Sequence, residues 1–163
     1  MSKKIFTLFF VLYSSYSLSQ NTIVGIYNED VITLKQLEKL TKKNESKERK
    51  ISAIQALIAE KIEFDFIKKF KIVPTSASLN NELSKVAEQN KISLEKLKQL
   101  ANYNEIYSIV LSELSKIGLR QVIVNGNKAE PISINSKEGV SLYQDWLKKT
   151  KENMYIEIFE DKL

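Results

Sequence analysis

The closing stretch of the chain has the alternating pattern of a half-buried strand. From Met154 to Phe159, large apolar residues alternate with polar ones. Residues 23–27 (IVGIY) and 31–33 (VIT) are β-rich and are joined by the turn-like NED, so we expect a small hairpin there. A lone strand would leave a row of backbone donors and acceptors unpaired. We therefore expect the closing strand to pair with the hairpin, so that the two ends of the chain form one core.

The rest of the chain has the spacing of amphipathic helices. Thr33, followed three residues later by Gln36, forms a capping-box pattern, which predicts that the first helix begins at Leu34. Further helices are predicted at residues 47–70, 78–89, 94–100, 105–123 and 137–153, with a connector at 124–139. The predicted fold class is therefore mostly α, a multi-helix domain with a small β-sheet formed by the N-terminal hairpin and the C-terminal strand.

The predicted helix at residues 47–70 is apolar around much of its circumference. One broad stripe consists of Ile51, Ile54, Ile58, Ile62 and Phe66. A second stripe consists of Leu57 and Phe64, and Ile67 and Phe70 widen the apolar surface further. Such a helix is either packed by several neighbours or offers a face to a partner. The pattern leaves both interpretations open.

The first twenty residues, MSKKIFTLFFVLYSSYSLSQ, have the layout of a secretory signal peptide. A basic start is followed by an apolar run from Ile5 to Tyr13 and then by small residues, with Ser17 and Ser19 at the −3 and −1 positions. We predict a signal peptide at 1–19, cleavage between Ser19 and Gln20, and a single exported domain at 20–163 without stable membrane insertion. An uncleaved anchor or a buried helix is the alternative, although the run is short for a membrane span.

Composition narrows the range of chemistry. The chain has no cysteine and no histidine, which removes disulfides, thiolate metal sites, cysteine nucleophiles and the commonest general base. We expect no cofactor and no metal, while carboxylate or lysine chemistry stays open. The net charge is +5, but acidic and basic residues are interleaved, so no nucleic-acid-binding face is predicted. Glu60, Glu63 and Asp65 are interpreted as solvated charges spread around a helix.

Three segments resemble the SurA-type periplasmic chaperones. IVGIYNEDVITLKQLEKL is similar to that family's opening strand, turn and first helix. The segment from ALIAEKIEFDF to KQLA is similar to its next helices, including the joint formed by Gln89, Asn90, Ile92, Ser93, Leu94 and Glu95. WLKKTKENMYIEIF is similar to its closing helix and strand. The resemblance covers residues 23–123 and 146–159.

The resemblance implies a chaperone without isomerase activity. Members of the family usually carry parvulin-type prolyl isomerase domains before the closing segment, whereas this chain has only the connector at 124–139 and no histidine. The implied function is that of an ATP-independent periplasmic chaperone, which holds unfolded outer-membrane proteins through their aromatic-rich segments for delivery to the outer membrane. A periplasmic adaptor or assembly protein that binds one folded partner is the alternative, and an enzyme, most naturally a prolyl isomerase, is a third class.

The predicted client-binding residues come from two helices. They lie on the long helix and at the start of the helix after the joint: Phe64, Phe66, Phe70, Tyr103, Ile106, Tyr107 and Val110. The alternative for each of them is a place in the core. Trp146, on the closing helix, is expected to be core. No catalytic residue is predicted.

Overall fold

The computed structural model describes residues 22–42, 44–126, 128 and 130–163. Its helices are α1 (Leu34–Glu38), α2 (Lys47–Lys69), α3 (Ser76–Gln89), α4 (Leu94–Lys98), α5 (Tyr103–Asn125) and α6 (Lys137–Glu152). The strands are β1 (Ile23–Tyr27), β2 (Asp30–Thr33) and β3 (Ile156–Ile158), and a 3₁₀ helix, Glu160–Lys162, closes the chain. The predicted signal peptide lies outside the described residues. None of the described helices combines the length and the apolar character needed to cross a membrane.

The three strands form one antiparallel sheet in the order β2-β1-β3. The mostly α fold with a small sheet made by the N-terminal hairpin and the C-terminal strand is therefore confirmed. Ile26 lies opposite Val31 on one side and opposite Glu157 on the other. Asn28 begins the hairpin turn with a φ of 49°, a left-handed conformation that asparagine tolerates better than most residues.

The chain divides into two compact units, and α2 and α6 each contribute residues to both. Unit 1 contains the described residues up to Lys61 together with Lys148–Leu163. Its buried side chains come from the hairpin, α1 and the first part of α2: Val24, Tyr27, Ile32, Leu37, Ile54 and Ile58. The predicted capping box is present, since the Thr33 hydroxyl accepts from the Gln36 N–H and the Gln36 side chain accepts from the Thr33 N–H.

Unit 2 spans Ile62–Leu147. Its main apolar cluster is formed by α3, α4 and α5, with Leu79, Leu83, Ala87, Leu97 and Val110 at its centre. The start predicted for α5 at residue 105 was wrong, because the helix begins at Tyr103. The two asparagines in ANYNE favour a turn. The Tyr103 side chain nevertheless packs on this cluster, and that contact favours a helix that already includes residue 103. Gly118, inside α5, does not interrupt the helix.

Side-chain and backbone contacts organise the connection from α5 to α6. The Asn125 amide donates to the Ile132 carbonyl at 3.2 Å and accepts from the Ile132 N–H at 2.8 Å, so it pairs with that residue as a neighbouring strand would. Gly139 meets the same connection, since a Cβ there would lie 2.3 Å from the Ser133 carbonyl oxygen. The predicted connector is thus shorter than 124–139, because α5 continues to Asn125 and α6 begins at Lys137.

Candidate functional site

An aromatic cluster, Phe66, Phe70, Tyr143 and Trp146, lies in unit 2. The Phe66 ring meets the rings of Phe70 and Trp146 edge-on, with centroids 5.5 and 5.1 Å apart, and Trp146 lies 5.4 Å from Tyr143. Edge-on packing is the arrangement that aromatic quadrupoles favour. Phe70 is 42% exposed and Phe66 and Trp146 are half-buried, so the cluster has an open side. Trp146, expected in the core, shares this partly open position.

Phe64 does not belong to that cluster. Two residues along a helix correspond to a rotation of about 200°, so Phe64 and Phe66 leave α2 in nearly opposite directions. The Phe64 ring is 55% exposed and has the Lys68 ammonium 4.1 Å from its centroid. Lys69 lies 5.2 Å from the Phe66 centroid in the same way. The aromatic residues at the end of α2 therefore form two apolar surfaces, and each has a lysine above a ring.

The predicted residues on α5 belong mostly to the core. Tyr103 and Ile106 pack on the apolar cluster of α3, α4 and α5, and the Tyr103 and Tyr107 rings are 6.1 Å apart. Val110 is only 7% exposed and belongs to the centre of that cluster, so its assignment to a client-binding surface was wrong. Its spacing from Ile106 is that of a core-facing stripe. Tyr107, at 36% exposure, is the residue of this group that offers the most area to a partner.

A buried carboxylate lies beside the aromatic cluster. Glu63 is 9% exposed, and its Oε1 accepts a hydrogen bond from the Tyr143 hydroxyl. The Arg120 guanidinium lies 3.9 Å from the same oxygen and 5.3 Å from the Tyr143 ring centroid. The interpretation of Glu63 as a solvated charge was therefore wrong. The sequence contains a signal for this burial that the interpretation missed. Glu63 lies only about 60° from Phe66 around the helix axis, and so on the side of α2 that carries an apolar stripe.

Burial and this polar contact both favour the protonated form of the Tyr143 hydroxyl. Burial raises the pKa of the phenol well above its ordinary value, and the hydrogen bond to Glu63 and the charge of Glu63 raise it further. The nearby Arg120 acts in the opposite direction but is the weaker influence. The hydroxyl therefore remains a donor across the physiological range. Glu63, Tyr143 and Arg120 join α2, α6 and α5 within unit 2.

An open cleft of about 330 Å³ lies among the described residues of unit 1. It is lined by Leu40, Thr41, Glu45, Arg49, Ser52 and Ala53. Glu45 and Arg49 lie 3.5 Å apart and compensate each other's charge, so neither is left to orient a charged ligand. In the described part of the chain, no group of three or more carboxylates is placed to hold a metal ion. The chemistry available at the aromatic cluster is contact with apolar groups, with the Lys69 ammonium above the Phe66 ring and the Arg120 guanidinium beside Tyr143.

No family model matches the chain, and no curated protein is similar enough to it to count as a match. The candidate site is therefore defined by its own residues.

Proposed function

We propose that this protein is an ATP-independent periplasmic chaperone, which holds unfolded outer-membrane proteins for delivery to the outer membrane and has no isomerase activity. The observation that carries the proposal is the aromatic cluster with its open side at the end of α2. Phe70 is 42% exposed, although phenylalanine is among the residues most often buried. The resemblance to SurA-type chaperones and the predicted signal peptide support the same function.

The binding mechanism follows from contact area. A client side chain laid on Phe66, Phe70 and Trp146 removes apolar surface from water, which contributes roughly 25 cal/mol per Å². Ordering a flexible client opposes this gain, so each contact is weak and reversible. A binder without ATP needs that balance, because a client must leave when a folding partner competes for it. The Lys69 ammonium lies 5.2 Å from the Phe66 ring centroid, so a charged group borders this aromatic surface.

The test follows the aggregation of a denatured outer-membrane barrel protein by light scattering. The barrel protein is diluted into buffer with residues 20–163 or with an unrelated soluble protein at equal concentration. We expect suppression of scattering near a stoichiometric ratio only with residues 20–163. Equal scattering in both samples would remove the chaperone proposal. The search would then turn to the adaptor alternative, one folded partner.

A matched pair of variants assigns the surface. Phe70→Ala removes an exposed ring of the aromatic cluster, whereas Ile109→Ala removes an apolar side chain of unit 2 that is 57% exposed and does not belong to the cluster. We expect Phe70→Ala to require several times more protein for the same suppression, and Ile109→Ala to behave as the unchanged chain. Circular dichroism of both variants checks that they fold. Equal losses would show that general surface hydrophobicity, and not the aromatic cluster, holds the client.

A further inference from the structure

Strand β3 has one edge that no described strand covers. The Asn28 N–H donates to the Tyr155 carbonyl at 2.8 Å, and the Phe159 N–H donates to the Val24 carbonyl at 3.0 Å. Glu157 lies opposite Ile26 between these two bonds. In an antiparallel ladder, the residues bonded to one neighbour alternate with those whose backbone groups point the other way. The N–H and C=O groups of Ile156 and Ile158 therefore point away from β1, and β3 is the outer strand in the order β2-β1-β3.

This edge lacks most of the devices that block pairing. The closing stretch has no proline or lysine from Met154 to Phe159, and its register with β1 is regular. The 3₁₀ helix that follows packs on β1. Together with the two flanking hydrogen bonds, the paired stretch reaches from Tyr155 to Phe159. The N–H and C=O groups of Ile156 and Ile158 on this edge match the spacing of an extended backbone.

The side chains of β3 select the kind of chain that fits. Glu157 and Tyr155 are exposed and joined by a hydrogen bond from the tyrosine hydroxyl to the carboxylate, whereas Ile156 and Ile158 are half-buried. A second copy that overlapped all three residues of β3 in antiparallel fashion would place Glu157 opposite Glu157. Like charges directly opposite each other destabilise a strand pair. An extended segment of another polypeptide, with a lysine or arginine opposite Glu157, avoids that repulsion.

We propose that the free edge of β3 binds an extended segment of another polypeptide by strand addition, and that Glu157 selects segments with a basic residue at the central position. This surface belongs to unit 1, whereas the aromatic cluster belongs to unit 2. The proposal therefore does not rest on the chaperone function. It predicts a backbone-binding site that is insensitive to substitution of Phe70.

The experiment adds a fluorescein-labelled seven-residue peptide, fluorescein-TTVKVTT-amide, whose central residue is lysine, to residues 20–163. Amide hydrogen exchange is followed by NMR, and affinity is measured by fluorescence anisotropy. We expect new protection at the Ile156 and Ile158 amides, while the Glu157 amide, which faces β1, changes little. A peptide with glutamate in place of lysine should bind roughly two- to fivefold more weakly, and Glu157→Lys should reverse that preference.

Two variants at one position separate the backbone from the side chain. Ile158→Pro removes the N–H that points to the free edge, whereas Ile158→Ala removes more of the side chain but keeps that N–H. We expect Ile158→Pro to weaken peptide binding roughly fivefold or more relative to Ile158→Ala. Thermal unfolding of both variants establishes that they are folded at the assay temperature. If the proline variant is not folded, N-methylation of Ile158 in a semisynthetic chain replaces it.

Three results would overturn the proposal. The first is peptide binding without protection at Ile156 and Ile158, and the second is no binding at millimolar peptide. The third is protection of these amides that grows with protein concentration alone, which indicates a second copy.

Discussion

Glu63 is a charged residue that organises its surroundings from a buried position. Its carboxylate accepts from the Tyr143 hydroxyl and lies 3.9 Å from the Arg120 guanidinium, so three helices meet at one oxygen. A buried carboxylate is costly unless it is paired and hydrogen-bonded. The contact therefore fixes the orientation of Tyr143, and Trp146 follows one helical turn later on the same side of α6. We therefore expect the stability of unit 2 to depend on this polar contact.

Tyr143→Phe tests that dependence. The variant keeps the ring but removes the donor, which leaves the Glu63 carboxylate buried without its hydrogen bond. We expect the free energy of unfolding to fall by about 1.5–3 kcal/mol, measured by urea denaturation. Tyr155→Phe is the matched control, because Tyr155 also donates to a glutamate, Glu157, but from an exposed position. That variant should be indistinguishable from the unchanged chain, and equal losses in the two variants would contradict the role given to burial.

At the scale of elements, close backbone approach decides where α6 begins. The carbonyl oxygen of Ser133 lies where a side chain at Gly139 would be, because a Cβ there would meet it at 2.3 Å. Ser136 supports the same turn, since its hydroxyl accepts from the Gly139 N–H at 3.0 Å and donates to the Ser133 carbonyl at 2.7 Å. Asn125 fixes the connection from its other end through Ile132. The first turn of α6 is thus positioned by the backbone of the segment before it.

Gly139→Ala should destabilise the protein by about 1–3 kcal/mol, because the clash is with backbone and the segment 133–134 must move. Gly118→Ala is the control in another helix. Its Cβ would meet one side-chain atom, the Ile72 Cγ2, at 2.8 Å, so the half-buried Ile72 side chain must shift but no backbone clash arises. The higher helix propensity of alanine offsets part of the cost there. Thermal unfolding of both variants measures the difference, and a Gly118 variant as unstable as the Gly139 variant would argue against this account.

At the scale of the whole molecule, the sheet joins the two ends of the described chain. Strand β1 lies between β2 and β3, so the closing strand completes the hydrogen bonding of β1 from more than a hundred residues away. Closing a loop of that length costs only slightly more entropy than closing a shorter one. The ladder on the β3 side therefore stabilises unit 1 through a long-range contact.

Deletion of residues 154–163 should expose the β3 side of β1. We expect the Ile26 and Asn28 amides to lose most of their hydrogen-exchange protection, because both face β3. Deletion of 160–163 is the control. It keeps the ladder and removes the 3₁₀ helix and the exposed Lys47–Glu160 ion pair, which contributes little. If the longer deletion left both amides protected, the closing strand would not be what stabilises β1.

The sequence by itself determined the local elements, because their signals are local. Alternation, the turn-like NED, and Thr33 with Gln36 predicted the hairpin and the start of α1. It also indicated that β3 pairs with the hairpin, since a lone strand is unfavourable. The tertiary structure alone decided that Glu63 is buried and that Val110 is core. Periodicity places a side chain on a face of its own helix, but burial depends on which neighbour covers that face, and that neighbour is brought there by contacts distant in sequence.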